Sequence, residues 1–207
     1  MFSNGPTWVQ HLSDQLGSST LRPRPYGGRD FACGGAEASP LESGITGVAA
    51  NVISLPSQLT QFESQVGAAP SDALYTLSIG TDDLVSIMQA PGSNAAGMIA
   101  RVPEAVANVV SFVTGLAADG ARSFIVLDAP DLGKLPVITR QNDPGRDALT
   151  LQLSSLYNVH LNAALQNLAQ TQGLNLHILP TYPLLDQGSG GARAVRPGQC
   201  HRSRLDW

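Results

Sequence analysis

Two adjacent carboxylates, Asp82 and Asp83, follow the apolar run 74–79 after only Gly80 and Thr81. Paired acids at that place have three chemical uses. They can cap the next helix, accepting its orphan backbone N–H groups. They can hold a divalent ion for phosphoester chemistry, although no further clustered ligand accompanies them. Or they can stand beside a reacting carbonyl. A second candidate is the glycine pair in "FACGGA", Gly34 and Gly35. Two glycines allow close backbone approach to a phosphate, or can present an N–H to a developing oxyanion, or simply make a tight turn. The full G-x-G-x-x-G spacing of a dinucleotide site is missing. Cys33, beside the glycines, is either a nucleophile or a small buried filler. No G-x-S-x-G nucleophile elbow occurs. His11 and His160 fall in helical patterns and His177 in a strand pattern, which suits surface or satisfied core roles rather than catalysis.

The elements that must position these groups read as a parallel α/β fold. Three short apolar runs, 73–80, 122–130 and 175–180, are stopped by Gly or Pro, as expected of strands covered on both faces. Between them, Ile99, Val102, Val106, Val109, Val110 and Val113 recur at helical spacing, and so do Leu149, Leu153, Leu156, Leu161, Leu165 and Leu168. Gly120 and Gly173 are placed to end these helices. Residues 7–17 form another amphipathic helix with a glycine stop, and 29–39 an extended segment running into a small-residue turn. Strands alternating with long helices predict βαβ units and a mainly parallel sheet. Sites in such sheets form at strand C-termini, where both "GGA" (34–36) and "GTDD" (80–83) are expected.

The bulk numbers bound the answer. At 207 residues, with 43% hydrophobic and 14% charged residues, the chain suits one globular domain. A formal net charge of −4 argues against a nucleic-acid or anionic-membrane partner. No apolar run approaches the roughly 20 residues that span a bilayer, so no transmembrane segment is expected. The first ten residues, "MFSNGPTWVQ", carry no signal-peptide pattern. Cys33 and Cys200 are too few for a disulfide framework or a thiolate zinc site.

Taken together, "FSNGPTWVQHLSDQLG" (2–17), "DFACGGA" (30–36), "YTLSIGTDDL" (75–84), "VLDAPDLGKLPVI" (126–138) and "LQLSSLYNVHLNAALQNL" (151–168) resemble the SGNH/GDSL esterase–lipase family, in its bacterial lecithinase, haemolysin and autotransporter-esterase branch. The resemblance runs in order over roughly 2 to 187. It implies a flavodoxin-like three-layer α/β/α fold, a small ester or lipid substrate, no cofactor and no metal. Such enzymes use a Ser in an N-terminal GDSL block, a block II glycine and a G-x-N-D asparagine for the oxyanion hole, and a C-terminal D-x-x-H block. Gly35, with Gly34 adjacent, falls on the block II glycine; Gly80, Asp82 and Asp83 fall on G-x-N-D. Asp82 thus stands where the asparagine donates, and an ionised carboxylate has no donor. Losing one such donor costs about 10²–10³ in rate, and a like charge costs more.

Neither the GDSL serine nor a D-x-x-H occurs in the 207 residues. The expectation is therefore a family fold without its first, central strand and its last helix, and no triad-dependent activity. The alternative is a non-catalytic lipid- or acyl-binding remnant. Family relatives are often secreted or surface-anchored, and nothing in this chain decides its location.

The expected domain is 1–187. Residues 188–207 hold four of the twelve Lys and Arg residues and have no apolar period. A permitted set of codons for 194–206, read one base later, encodes "RFGLANVTDPAW", which resembles what the family carries ahead of its D-x-x-H block. Residues 188–207, with Cys200 and His201, are thus expected to be an out-of-frame or disordered tail past Gln187, the alternative being a real, divergent basic tail.

Overall fold

The computed structural model describes residues 5–18, 21–39, 53–90, 92, 94–135, 138 and 143–182. The 188–207 segment expected to be out of frame lies outside the described residues. The described elements run α1 (Trp8–Gln15), α2 (Leu55–Val66), β1 (Leu74–Ser78), α3 (Thr81–Gln89), α4 (Ala95–Ala118), β2 (Ser123–Leu127), α5 (Pro144–Gln172) and β3 (Asn175–Leu179). Short 3-10 turns occupy Arg24–Tyr26 and Leu132–Lys134. The sheet has the order β1-β2-β3 and both pairings are parallel. Tyr75 lies opposite Phe124, and Phe124 opposite Leu176. This is the expected parallel α/β architecture, consistent with three layers.

Local chemistry explains where the elements begin and stop. The Thr7 side chain and Gln10 form a capping box at the start of α1, with the Thr7 N–H donating to Gln10 Oε1 at 2.8 Å. Asn94 caps α4 by accepting the Gly97 N–H at 2.8 Å. Asp143 caps α5 by accepting the N–H groups of Gly145 and Arg146, each at 3.1 Å, with Pro144 at the first helical position. Gly173, at φ +65°, closes α5 in the left-handed conformation expected of it.

The core lies between the sheet and the paired helices α4 and α5. Val102, Val109 and Val113 of α4, Leu153, Leu161 and Leu165 of α5, and Phe124 and Val126 of β2 are all buried. Burial of this kind is worth roughly 1.5–3 kcal/mol per side chain. By length and composition α4 is apolar enough to cross a membrane, which corrects the expectation that no apolar run approaches that length. Its valine stripe packs into the core instead. The opposite sheet face is less covered: Thr76 and Ile125 are half-buried, while His177 and Leu179 are exposed.

Candidate functional site

The candidate residues gather at the C-terminal ends of the strands. β1 leads through Ile79 into Gly80, whose φ of +104° is left-handed. A Cβ there would lie 2.1 Å from the hydroxyl of Tyr157, so the position admits only glycine without rearrangement. Tyr157 is fully buried in α5, and its hydroxyl donates to the Ile79 carbonyl at 3.2 Å. Burial, then the nearby carboxylates Asp83 and Asp128, push its phenol far above the ordinary range.

Asp82 and Asp83 are not helix caps. Gly80 is the capping residue and no side-chain cap bond is made. The two acids occupy the first turn of α3, where the helix dipole favours negative charge. Asp83 turns inward, 5% exposed, and both its oxygens accept the Ala38 N–H at 3.0 Å. The Ser39 N–H donates to the same carboxylate. Burial raises the Asp83 pKa to about 6, against the pull of the Ala38 amide, with Glu37 adding to the rise. Asp82 is raised too, first by burial and then by Glu37.

Those bonds bring the glycine turn to the acids. The Ala36 N–H donates to the Cys33 carbonyl at 3.2 Å, closing a turn with Gly35 at φ +83°. The expectation that a strand delivers this turn is corrected: residues 29–33 form no strand beyond an isolated Pro23–Asp30 bridge. Asp30 instead accepts the Ala32 N–H at 3.1 Å, bending the chain locally. The segment is then held from two sides. The Leu55 N–H donates to the Glu37 carbonyl at 2.9 Å, and the Ser86 hydroxyl donates to the Glu37 carboxylate.

The end of β2 is built differently. Asp128 accepts the N–H groups of Thr181 and Tyr182 and the Thr181 hydroxyl, which ties the chain after β3 to the end of β2. Asn158 latches the next residue at both its groups, accepting the Ala129 N–H at 2.9 Å and donating to its carbonyl at 2.8 Å. Tyr157, Asn158, Asp128 and Glu37 frame this candidate site and were not singled out from the sequence. The only signal was polar residues interrupting the leucine period of α5 and the apolar run before Asp128.

The remaining candidates lie apart from this centre. His11, His160 and His177 are exposed on α1, α5 and β3. Cys33 is half-buried. Among the described residues no group of three His, Cys, Asp or Glu side chains is arranged to hold a metal ion. Asp83 is occupied by amide donors.

A parallel sheet with a glycine turn and a helix N-terminus joined at its carboxyl end defines an α/β protein of the kind that binds small substrates there. The chain belongs to the GDSL-like lipase/acylhydrolase family, whose description matches residues 1–195. It is 27% identical, over 82% of its length, to a phosphatidylcholine-sterol acyltransferase of Aeromonas hydrophila, covering 44% of that protein. It is 33% identical, over 47% of its length, to GDSL esterase/lipase 5 of Arabidopsis thaliana, covering 25% of that protein. The chain spans less than half the length of the curated relatives it matches.

Proposed function

We propose that this chain carries the oxyanion-hole side of a carboxylic-ester hydrolase and, as written, turns over no ester through a serine triad. What supports the reading is the bond from Ala38 to Asp83, which joins the turn at 33–36 to the first turn of α3 across 45 positions of sequence. In this reading the Gly35 N–H, with Gly34 beside it, and the side chain at 82 face the charge that develops on the ester carbonyl oxygen. Asp83 holds those two segments together, and Gly80 is the residue at which α3 begins. The Aeromonas relative's name pairs phosphatidylcholine with a sterol, which makes phospholipid acyl esters the first substrates to try.

An ionised Asp82 opposes that chemistry, because it accepts where a donor is needed. Burial and Glu37 keep its proton on to higher pH than for an ordinary aspartate, and the protonated acid does carry an O–H donor. The nucleophile and the base are absent from the 207 residues, so pure protein should hydrolyse short-chain p-nitrophenyl esters no faster than its heat-denatured control.

Sequencing the gene and its flanking DNA tests the class. A GDSL serine block upstream, together with a D-x-x-H block in the shifted frame past Gln187, supports the reading and makes residues 188–207 out-of-frame translation. Finding neither overturns the frameshift account of residues 188–207 and moves the acyl-binding reading to the front. In the repaired enzyme, Asp82→Asn should raise kcat by about 10² near neutral pH, since it restores a donor. A second reading, a non-catalytic acyl binder, is favoured by one observation: an apolar groove of about 620 Å³ beside β1. It predicts that oleate raises the melting temperature.

A further inference from the structure

A second concentration of charge lies away from the carboxylate centre. Residues 1–187 carry eight Lys and Arg against fifteen Asp and Glu, a formal −7. Yet "RPRPYGGRD" (22–30) holds three of those eight cations and one acid. The backbone closes this stretch into a loop around the parallel Pro23–Asp30 bridge. The Asp30 N–H donates to the Arg22 carbonyl at 2.9 Å, and the Arg24 N–H to the Asp30 carbonyl at 2.8 Å. That register sets Arg22 and Arg29, the residues before the bridge partners, side by side at a strand spacing of roughly 4.8 Å. A Cβ at Gly28 would fall 1.8 Å from the Arg22 carbonyl oxygen, so only glycine lets the loop close. Arg22 and Arg29 are exposed and Arg24 is half-buried, and none of the three forms an ion pair among the described residues. Asp72 and Arg29 both reach the field of the Tyr75 hydroxyl without pairing, and the Asp30 carboxylate accepts the Ala32 N–H instead. Tyr26, in the turn of the loop, is 78% exposed, the most exposed large hydrophobic side chain among the described residues.

We propose that the 22–30 loop docks on a membrane face rich in anionic phospholipid, with Tyr26 seated among the headgroups. Like charges set side by side without a counter-ion repel, and an array of phosphates outside the protein relieves that repulsion. The net charge that argues against such a partner describes the chain as a whole. Beyond a Debye length of about 8 Å the acidic remainder is screened, and what it still contributes turns the other faces away from the same surface. A tyrosine among guanidiniums suits the headgroup layer, where its ring meets apolar chain and its hydroxyl meets water. Duplex nucleic acid fits less well, because three phosphate contacts are few against repulsion from a body of −7. The bonds that close the loop fix its shape beforehand, so docking has little chain to order. Phe31, Ala32 and Cys33 alone separate the loop from Gly34, which keeps the glycine turn within about 14 Å of Asp30. Docking of this kind needs no turnover and does not rest on the ester reading.

The test is co-sedimentation of the full chain with sucrose-loaded vesicles of phosphatidylcholine and phosphatidylglycerol in equal parts. Binding should weaken as salt rises and be absent with phosphatidylcholine alone. Replacing Arg22, Arg24 and Arg29 together by Gln should weaken it about 100-fold, at roughly 1 kcal/mol per cation near the surface. Replacing the same three by Lys should keep it, since a headgroup array reads charge rather than guanidinium geometry. Tyr26→Ala should weaken it about fivefold, for about 40 Å² of ring buried at roughly 25 cal/mol per Å². Circular dichroism checks that each variant melts as the parent does. If the triple does not, Arg22→Gln with Arg29→Gln, both at exposed positions, carries the same test with an expected loss of about 30-fold. A control replaces Arg193, Arg196, Arg202 and Arg204 by Gln, and in that background the loop triple should show the same loss. Any of these results overturns the proposal: no binding to the anionic vesicles; equal binding to phosphatidylcholine; full binding by the Gln triple; loss in a folded Lys triple; loss with the 193–204 quartet alone; or tighter binding to a DNA duplex than to the vesicles.

Discussion

The ends of β1 and β2 solve the same problem with different electrostatics. Each strand stops at a turn that must gather a distant segment, and each uses one buried carboxylate to collect backbone N–H groups. Asp128 receives Thr181 and Tyr182, together with a hydroxyl. Asp83 receives Ala38 and Ser39. The β2 end is further locked by the two-way Asn158–Ala129 bond. The β1 end instead has Asp82 and Glu37 close to its anchor, and it holds the Asp83 proton up to about pH 6. A carboxylate satisfied by several donors is a structural pin. One crowded by other acids and buried is a pin whose hold depends on pH, and this is the end that carries the glycine turn.

Breaking the backbone rather than the charge should have the largest effect. Gly80→Ala places a methyl against Tyr157 at a left-handed φ, and should cost about 3 kcal/mol or more in urea denaturation. Next comes Asp128→Ala, which strands the amides of Thr181 and Tyr182 while the Thr181 hydroxyl keeps the residue's backbone carbonyl, and should cost about 2–3 kcal/mol.

The pH dependence of the β1 end sharpens the contrast. An acid whose folded pKa lies above its unfolded value of about 3.9 binds more protons when folded. Its stabilisation is therefore fully present below pH 4 and is lost as pH rises through about 6. Two pKa units correspond to at most about 3 kcal/mol of stability lost between pH 4 and pH 7. Asp83→Asn should at least halve that slope, with the remainder due to Asp82, whose shift has the same sign. A slope unchanged in Asp83→Asn would assign the pH response elsewhere. The smallest effect is expected away from both ends. Leu16→Glu, at a residue 64% exposed, should change stability by no more than about 0.5 kcal/mol.

Much of the fold was legible because burial writes periodicity into sequence. The runs at 73–80, 122–130 and 175–180 became β1, β2 and β3, trimmed by up to three residues at their ends. The valine and leucine stripes became α4 and α5, and the glycines at 120 and 173 followed them with positive φ. The site was half legible. Gly35, Gly80, Asp82 and Asp83 were visible as glycines and acids at turns. That Asp83 is an anchor rather than a cap was not visible, because its partner Ala38 is 45 positions away and contributes only a backbone N–H, which every residue but proline has. Tyr157 and Asn158 were hidden for a related reason: on a leucine-rich helix, one tyrosine and one asparagine look alike whether they face solvent or core.

By itself, the sequence determined the alternation of strand and helix, the stops between them, and the residues that a family resemblance could be hung on. These depend on local backbone preference and on the spacing of apolar side chains. Only the tertiary structure decided which turn meets which helix, why position 80 admits glycine alone, and that an apolar groove runs along β1. Those facts depend on contacts between segments far apart in the chain. The physical forces involved, amide-to-carboxylate bonding and steric exclusion at 2–3 Å, act through space and leave no period in the sequence.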